Sequence, residues 1–189
     1  MVRKTKSGDG HARLTTIVIE DFKTYDNKTT LFSNIDTAFF CLGVYTGQVS
    51  KELFKEITVD YAVNFAKTLK AQSPNARLCL LSGAGADRTE KSKAAFAKYK
   101  GMAENQIVES GLDFYTFRPG YIYPVKPRKE PNVMYRIMRA FYPIIKLFGD
   151  NASIKSTDLA EAMFHVGVNG ADQEILENKD ILKCLVQKP

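Results

Sequence analysis

Three short stretches of this chain carry residue types whose spacing suits chemistry. In the first, Gly83-Ala84-Gly85 closes the apolar run Ala76–Ser82 (ARLCLLS). Paired glycines behind a strand can bring backbone N–H groups against a phosphate. The full G-x-G-x-x-G spacing is not completed, because Arg88 stands where the third glycine belongs. In the second, Phe96, Lys100, Ala103 and Ile107 recur at helical spacing, which sets the Phe96 ring and the Lys100 amine on one side, a turn apart. Glu104 follows Lys100 by four, also the spacing of an ordinary surface ion pair. In the third, Arg118-Pro119-Gly120 ends another apolar run. Proline fixes φ and glycine permits a close backbone approach, so this turn can lie against a flat ring. The same residues also make an ordinary strand-ending turn.

Other chemistry is disfavoured. Cys41, Cys79 and Cys184 are odd in number and far apart, and two lie in apolar runs. Free thiols, no disulfides and a reducing, cytoplasmic compartment are expected. His11 and His165 have no metal-like spacing to the cysteines, so no metal site is expected. The net charge of +6 suits an anionic ligand as well as a solvated lysine-rich surface. A nucleic-acid reading would rest on Lys91, Lys93, Lys98, Arg128 and Lys129, and such a partner is not expected. No run of 18 apolar residues occurs, so no membrane span is expected, and the N-terminal residues lack a signal peptide's apolar stretch.

The elements that must position these groups follow from the pattern. Leu14–Glu20, Asp36–Gly43, Ala76–Ser82 and Asp113–Arg118 are short and continuously apolar, as strands covered on both faces are. Residues 50–72 place Leu53, Ile57, Tyr61, Phe65 and Leu69 four apart, predicting a helix. Further helices are predicted over 89–110, over 132–148 with a break at Pro143, and over 157–168 with Ser156 or Thr157 as cap. Strands alternating with helices predict a parallel, doubly wound α/β sheet in one domain spanning 1–189. The irregular loop Pro124–Pro131 and the apolar, basic segment Met134–Gly149 fit a small substrate-side region over about 121–150. The latter reads as a lid, or as a helix lying on a membrane surface.

Six pieces in order resemble the atypical, extended-like short-chain dehydrogenase/reductases, the group that includes the Tat-interacting oxidoreductase. They are FFCLG (Phe39–Gly43), VDY (Val59–Tyr61), LLSGAGAD (Leu80–Asp87), YKGMAE (Tyr99–Glu104), FRPGYIY (Phe117–Tyr123), and DLAEAM with ILENKDI (Asp158–Met163, Ile175–Ile181). The resemblance implies a Rossmann-like fold, an NADP cofactor rather than NAD, and hydride transfer to a small-molecule carbonyl or enoyl substrate. It implies that Arg3 and Lys4 hold a 2′-phosphate, as cationic donors suit a phosphate dianion. Asp21 and Phe22 would flank the adenine. Cys41, Leu42 and Gly43 would line the cofactor, and Pro119, Gly120, Tyr121 and Ile122 the nicotinamide. Ser82 and Lys100 match the family's catalytic serine and lysine, but Phe96 stands where the proton-donating tyrosine belongs. Tyr99, three residues later, would be a displaced substitute, and a packing or surface role is expected for it.

The family's first strand and glycine-rich loop lie upstream of Met1, so the expectation is an N-terminally truncated Rossmann-like sheet. Three outcomes follow. The chain is truncated, residues 14–20 pair directly with 36–42, or a second chain supplies the strand. An exposed fourth-strand edge would favour a homo-oligomer. The opposing expectation is an inert regulatory or scaffold protein, which Phe96 favours.

Overall fold

The computed structural model describes residues 2–3, 12–19, 21–126, 133–145 and 149–186. In chain order its elements are β1 (Val2–Arg3), β2 (Ile17–Val18), a 3-10 helix (Asp26–Phe32), β3 (Thr37–Phe40), α1 (Lys51–Lys55), a π-helical stretch (Glu56–Asp60) and α2 (Tyr61–Gln72). There follow β4 (Arg77–Leu81), α3 (Ala95–Val108), β5 (Asp113–Arg118), β6 (Tyr121–Tyr123), α4 (Val133–Ala140), α5 (Tyr142–Ile145), β7 (Ser153–Lys155), α6 (Ser156–Asn169), β8 (Ile175–Glu177) and α7 (Asn178–Val186).

The central sheet runs β3-β4-β5-β8, every pairing parallel, with Thr37 opposite Arg77, Arg77 opposite Asp113 and Thr116 opposite Ile175. Its strands are mostly apolar between their polar ends because both faces are covered. Leu78 and Leu80 face one core with Phe32, Val59, Ala66 and Ile107, whereas Cys79 joins Phe117, Met163, Val166 and Leu176 on the other. The 3-10 helix, α2 and α3 cover the first face, and α6 and α7 the second. This is the doubly wound α/β architecture that alternating elements predict. Outside this sheet, β6 pairs in parallel with β7.

β2 pairs with β1, Ile17 opposite Val2 and Val18 opposite Arg3. Among the described residues, 14–19 therefore do not pair with 36–42, which corrects the second of the three expected outcomes. Among the described residues β3 has a strand partner only on its β4 side.

Local departures from the predicted elements have physical causes. The expected helix face over 50–72 holds at Tyr61, Phe65 and Leu69, which pack into or against the core, but fails at Leu53, which lies before the π-helical stretch that shifts the turn. Phe54, Val59, Ala62, Val63, Ala66 and Leu69 are buried, while Leu53 is 40% exposed. The helix expected from residue 89 starts at Ala95. The preceding turn is held by Asp87, whose carboxylate accepts from the Thr89 hydroxyl and N–H and the Ser92 N–H, a local alternative to helix. α6 begins after Lys155, with no side-chain cap. Ser156 Oγ instead accepts from Val125 N, and Thr157 donates to Asp158. The break expected at Pro143 falls at Phe141, with Pro143 in the first turn of α5, where a missing N–H removes no helical bond.

Candidate functional site

The parallel strands deliver their C-terminal ends to one edge of the sheet, where open α/β folds bind ligands. β3 ends into Cys41–Gly43, β4 into Ser82–Gly85, β5 into Pro119-Gly120 and β8 into Asn178. Two bonds carry the β4–β5 pairing past the strands themselves, Ser82 N to Phe117 O at 2.8 Å and Ala84 N to Pro119 O at 2.9 Å.

The polar centre of this edge is Glu104, on α3 and fully buried. Its Oε1 accepts from Ser82 Oγ at 2.5 Å and from Arg118 Nε at 3.1 Å. Its Oε2 accepts from Arg118 at 2.5 Å and Arg88 at 2.9 Å. Burial pushes the Glu104 carboxyl up, but the hydrogen bonds from Arg118, Ser82 and Arg88 outweigh it and hold the group below the usual carboxylate range. The arginines reach outward to further acids, Arg118 to Glu177 and Arg88 to Glu174. The i, i+4 spacing offers Glu104 only a surface ion pair with Lys100, and the structure buries it instead. The missed signal was a pair of arginines, Arg88 in the turn between β4 and α3 and Arg118 at the end of β5.

Lys100, one turn before Glu104, directs its amine to Leu81 O at 3.1 Å. Loss of surrounding water pushes its pKa down to about 8, against the pull of Glu104 and Cys41. Cys41, at the end of β3, is close enough to feel the amine in return, though burial pushes its thiol up overall. An ammonium has three hydrogens, and Leu81 O takes one. Phe96 lies over the loop after β4: a Cβ on Gly83 would stand 2.6 Å from its ring carbon Cζ. Tyr99 does not substitute for a tyrosine at 96. It is buried, packs 6.0 Å from the Phe54 ring and belongs to the core on the α1 side.

The structure thus brings together Ser82, Phe96, Lys100 and Cys41, and places other expected residues differently. Gly120 meets protein backbone rather than open space, since a Cβ there would lie 2.5 Å from Ala152 O and 2.6 Å from Asn151 O. Its N–H donates to Asn178 Oδ1, and Asn178 Nδ2 donates to Asp150 O and Ser153 O. This buried asparagine clamps the Pro119-Gly120 turn and was not foreseen. Tyr121 is buried and Ile122 half-buried in β6. Phe22 is buried and stacks on Tyr61 at 5.9 Å, so its ring belongs to the core. Asp21 is exposed and accepts from Lys23 N. Leu42 is half-buried, and Gly43 is exposed, with nothing within 4 Å of where a Cβ would stand. Arg3 lies in β1 with its side chain outside the described residues, as Lys4 is altogether. Among the described residues no His, Cys, Asp and Glu cluster could hold a metal.

A hollow of about 510 Å³ lies at the opposite end, beside Arg77, Tyr115, His165, Asp172 and Lys183. Arg77 opens β4, so this hollow is away from the edge where Ser82 and Lys100 meet.

No family model matches the chain, and no curated protein matches it by sequence. Its fold is similar to that of the Bordetella bronchiseptica enzyme WbmG in complex with NAD, at 13% identity and a TM-score of 0.63, over 99% of this chain and 69% of that one. It is similar to RMD from Pseudomonas aeruginosa complexed with NADPH, at 14% identity and 0.60, over 88% of this chain and 69% of that one. A putative NAD-dependent epimerase/dehydratase from Bacillus halodurans matches at 13% identity and 0.60, over 89% and 77%. At these identities the likeness shows the fold alone, a Rossmann-like α/β domain.

Proposed function

We propose that this protein binds a nicotinamide dinucleotide, NADPH before NADH, across the C-terminal edge of its sheet, as an oxidoreductase-like member of the short-chain dehydrogenase/reductases. The observation that carries the reading is Lys100. Its half-buried amine, lowered to about 8, sits where β3 and β4 end. That is the place for a cation to hold a nicotinamide ribose, and solved neighbours of this fold carry NAD or NADPH. The remaining ammonium hydrogens suit ribose hydroxyls, while no G-x-G-x-x-G in this chain supplies the usual pyrophosphate cradle. Arg3, in β1, and Lys4, next to it in the sequence, support NADPH by charge. The cofactor would supply a hydride to a carbonyl or enoyl substrate.

A second reading, an inert scaffold or regulator that keeps the fold, is favoured by two observations. Phe96 has no proton to give. The single proton of Ser82 is directed to Glu104, so it is not free for a substrate carbonyl.

Calorimetric titration of the 189-residue chain with NADPH and, in parallel, NADH tests the proposal. Micromolar binding with NADPH preferred, lost in Lys100→Met, is expected. No binding to a folded chain overturns it.

A further inference from the structure

We infer that the segment spanning α4 and α5 is a docking surface for an anionic lipid bilayer, a role independent of the cofactor reading. The sequence through and around these two helices is strongly basic. Between Pro124 and Gly149 the sequence has six Lys or Arg and one Glu, which accounts for a net +5 of the chain's +6. Apolar side chains are exposed in the same place. Ile137 is 47% exposed, Phe141 53% and Ile144 50%. At four- and three-residue spacing these fall on one stripe, and the bonds Phe141 N to Ile137 O and Ile145 N to Phe141 O keep helical turning across the junction. The other side of the segment is already taken. Tyr142 stacks on Tyr123 with centroids 3.9 Å apart, and Arg139 lies over the same ring at 5.8 Å. The face toward β6 is therefore anchored, and the Ile137, Phe141, Ile144 stripe points away from it, flanked by the exposed Arg136.

A stripe of large apolar groups bordered by cations matches the boundary between acyl chains and anionic headgroups. A symmetric contact with a second copy would instead bring two strongly cationic segments together, and a nucleic acid would leave the aliphatic stripe without a partner. Among the described residues no helix is long and apolar enough to cross a membrane. The segment lies on the surface, next to Tyr121 and Tyr123, which continue from the Pro119-Gly120 turn.

Vesicle flotation of the full chain at physiological salt tests this, with phosphatidylcholine alone and with about 30 mol% phosphatidylserine. The expected result is flotation with the serine-containing vesicles only, weakened roughly tenfold or more in Ile137→Ser/Phe141→Ser/Ile144→Ser. Thermal unfolding of the variant should match the parent, since all three side chains are about half exposed. Absence of flotation overturns the inference. Equal flotation of the variant also overturns it, since it would reduce the effect to adsorption of a cationic protein. So does sedimentation showing that the parent self-associates through this stripe and the variant does not.

Discussion

Ser82 Oγ donates its proton to Glu104 Oε1 across 2.5 Å, inside the protein and at the end of β4. The serine that a dehydrogenase would turn toward a substrate carbonyl here completes the shell of a buried carboxylate. The first prediction concerns that shell. Glu104→Gln keeps the shape but removes the charge that Arg88 and Arg118 face, and is expected to lower stability by about 3 kcal/mol at pH 7. Ser82→Ala removes one charge-assisted bond and should cost about 1.5–2 kcal/mol. Thermal or urea unfolding reads both.

The pH dependence follows from the same carboxylate. Its folded pKa is depressed, so its contribution is fully present above the unfolded value near 4.5 and is lost as pH falls through the folded pKa. Stability of the parent should decline in acid below about pH 4.5, and Glu104→Gln should show a shallower decline over the same range. Parallel slopes for the two proteins would mean that Glu104 is not ionised in the fold.

Lys100 gives the opposite sign. Its folded pKa of about 8 lies below the ordinary 10.5, so between those values the unfolded chain binds more protons and stability rises with pH. Lys100→Met should remove that rise. It should also raise stability at pH 7 by about 1–2 kcal/mol, discounted for the partial exposure of the side chain, while abolishing NADPH binding. A variant both more stable and unable to bind would mark Lys100 as a residue held for a ligand. Phe96→Tyr puts a hydroxyl on the ring carbon nearest Gly83. It is expected to raise NADPH-dependent carbonyl reduction by at least about tenfold, on the usual scale for a positioned acid. No gain would leave the scaffold reading.

The sequence made the sheet legible because both faces of each strand are covered. Asp113–Arg118 was readable to the residue, and Ala76–Ser82 to within one at each end. Helix faces were less legible. Four-residue periodicity set Tyr61, Phe65 and Leu69 toward the core but misplaced Leu53, ahead of a π-helical stretch that such periodicity cannot show. Ser82, Phe96 and Lys100, which the family resemblance singles out, come together at one edge of the sheet. Glu104 and Asn178 were not legible in the sequence, because what defines them is contact across the fold, from α3 to β5 and from α7 to the turn after β5. The Phe22 ring likewise owes its place to a contact across the fold, stacking on Tyr61.

Two glycines separate packing from binding. A Cβ at Gly101 would collide with Asp87 O and stand 2.6 Å from Arg88 N, both backbone atoms that the Asp87 turn fixes. Gly101→Ala is expected to lose about 3 kcal/mol, as α3 is levered off that turn. At Gly43 a Cβ would meet nothing within 4 Å, and the residue has no positive φ. Gly43→Val should change stability by no more than about 0.5 kcal/mol, yet weaken NADPH by roughly tenfold if the dinucleotide lies along the end of β3. Calorimetry and thermal unfolding on the two variants give a clean crossover. Equal NADPH affinity in Gly43→Val would move the cofactor away from β3.

The last prediction concerns the free side of β3. Its N–H and C=O groups face no strand there among the described residues, and Phe39 is 42% exposed. α6 approaches closely enough that a Cβ on Gly167 would lie 2.6 Å from the Phe39 ring, and the same helix exposes Phe164 at 66% and Val168 at 59%. An open parallel edge beside exposed aromatic and aliphatic groups is a template for another strand. Self-association is therefore expected as concentration rises. Phe39→Lys sets a charge on the edge without touching the bond from Thr37 to Gly167 O, and should weaken association roughly tenfold with little change in unfolding temperature. Sedimentation velocity over a concentration series decides. A parent that stays monomeric throughout would show that the twist and shortness of β3 already protect its edge.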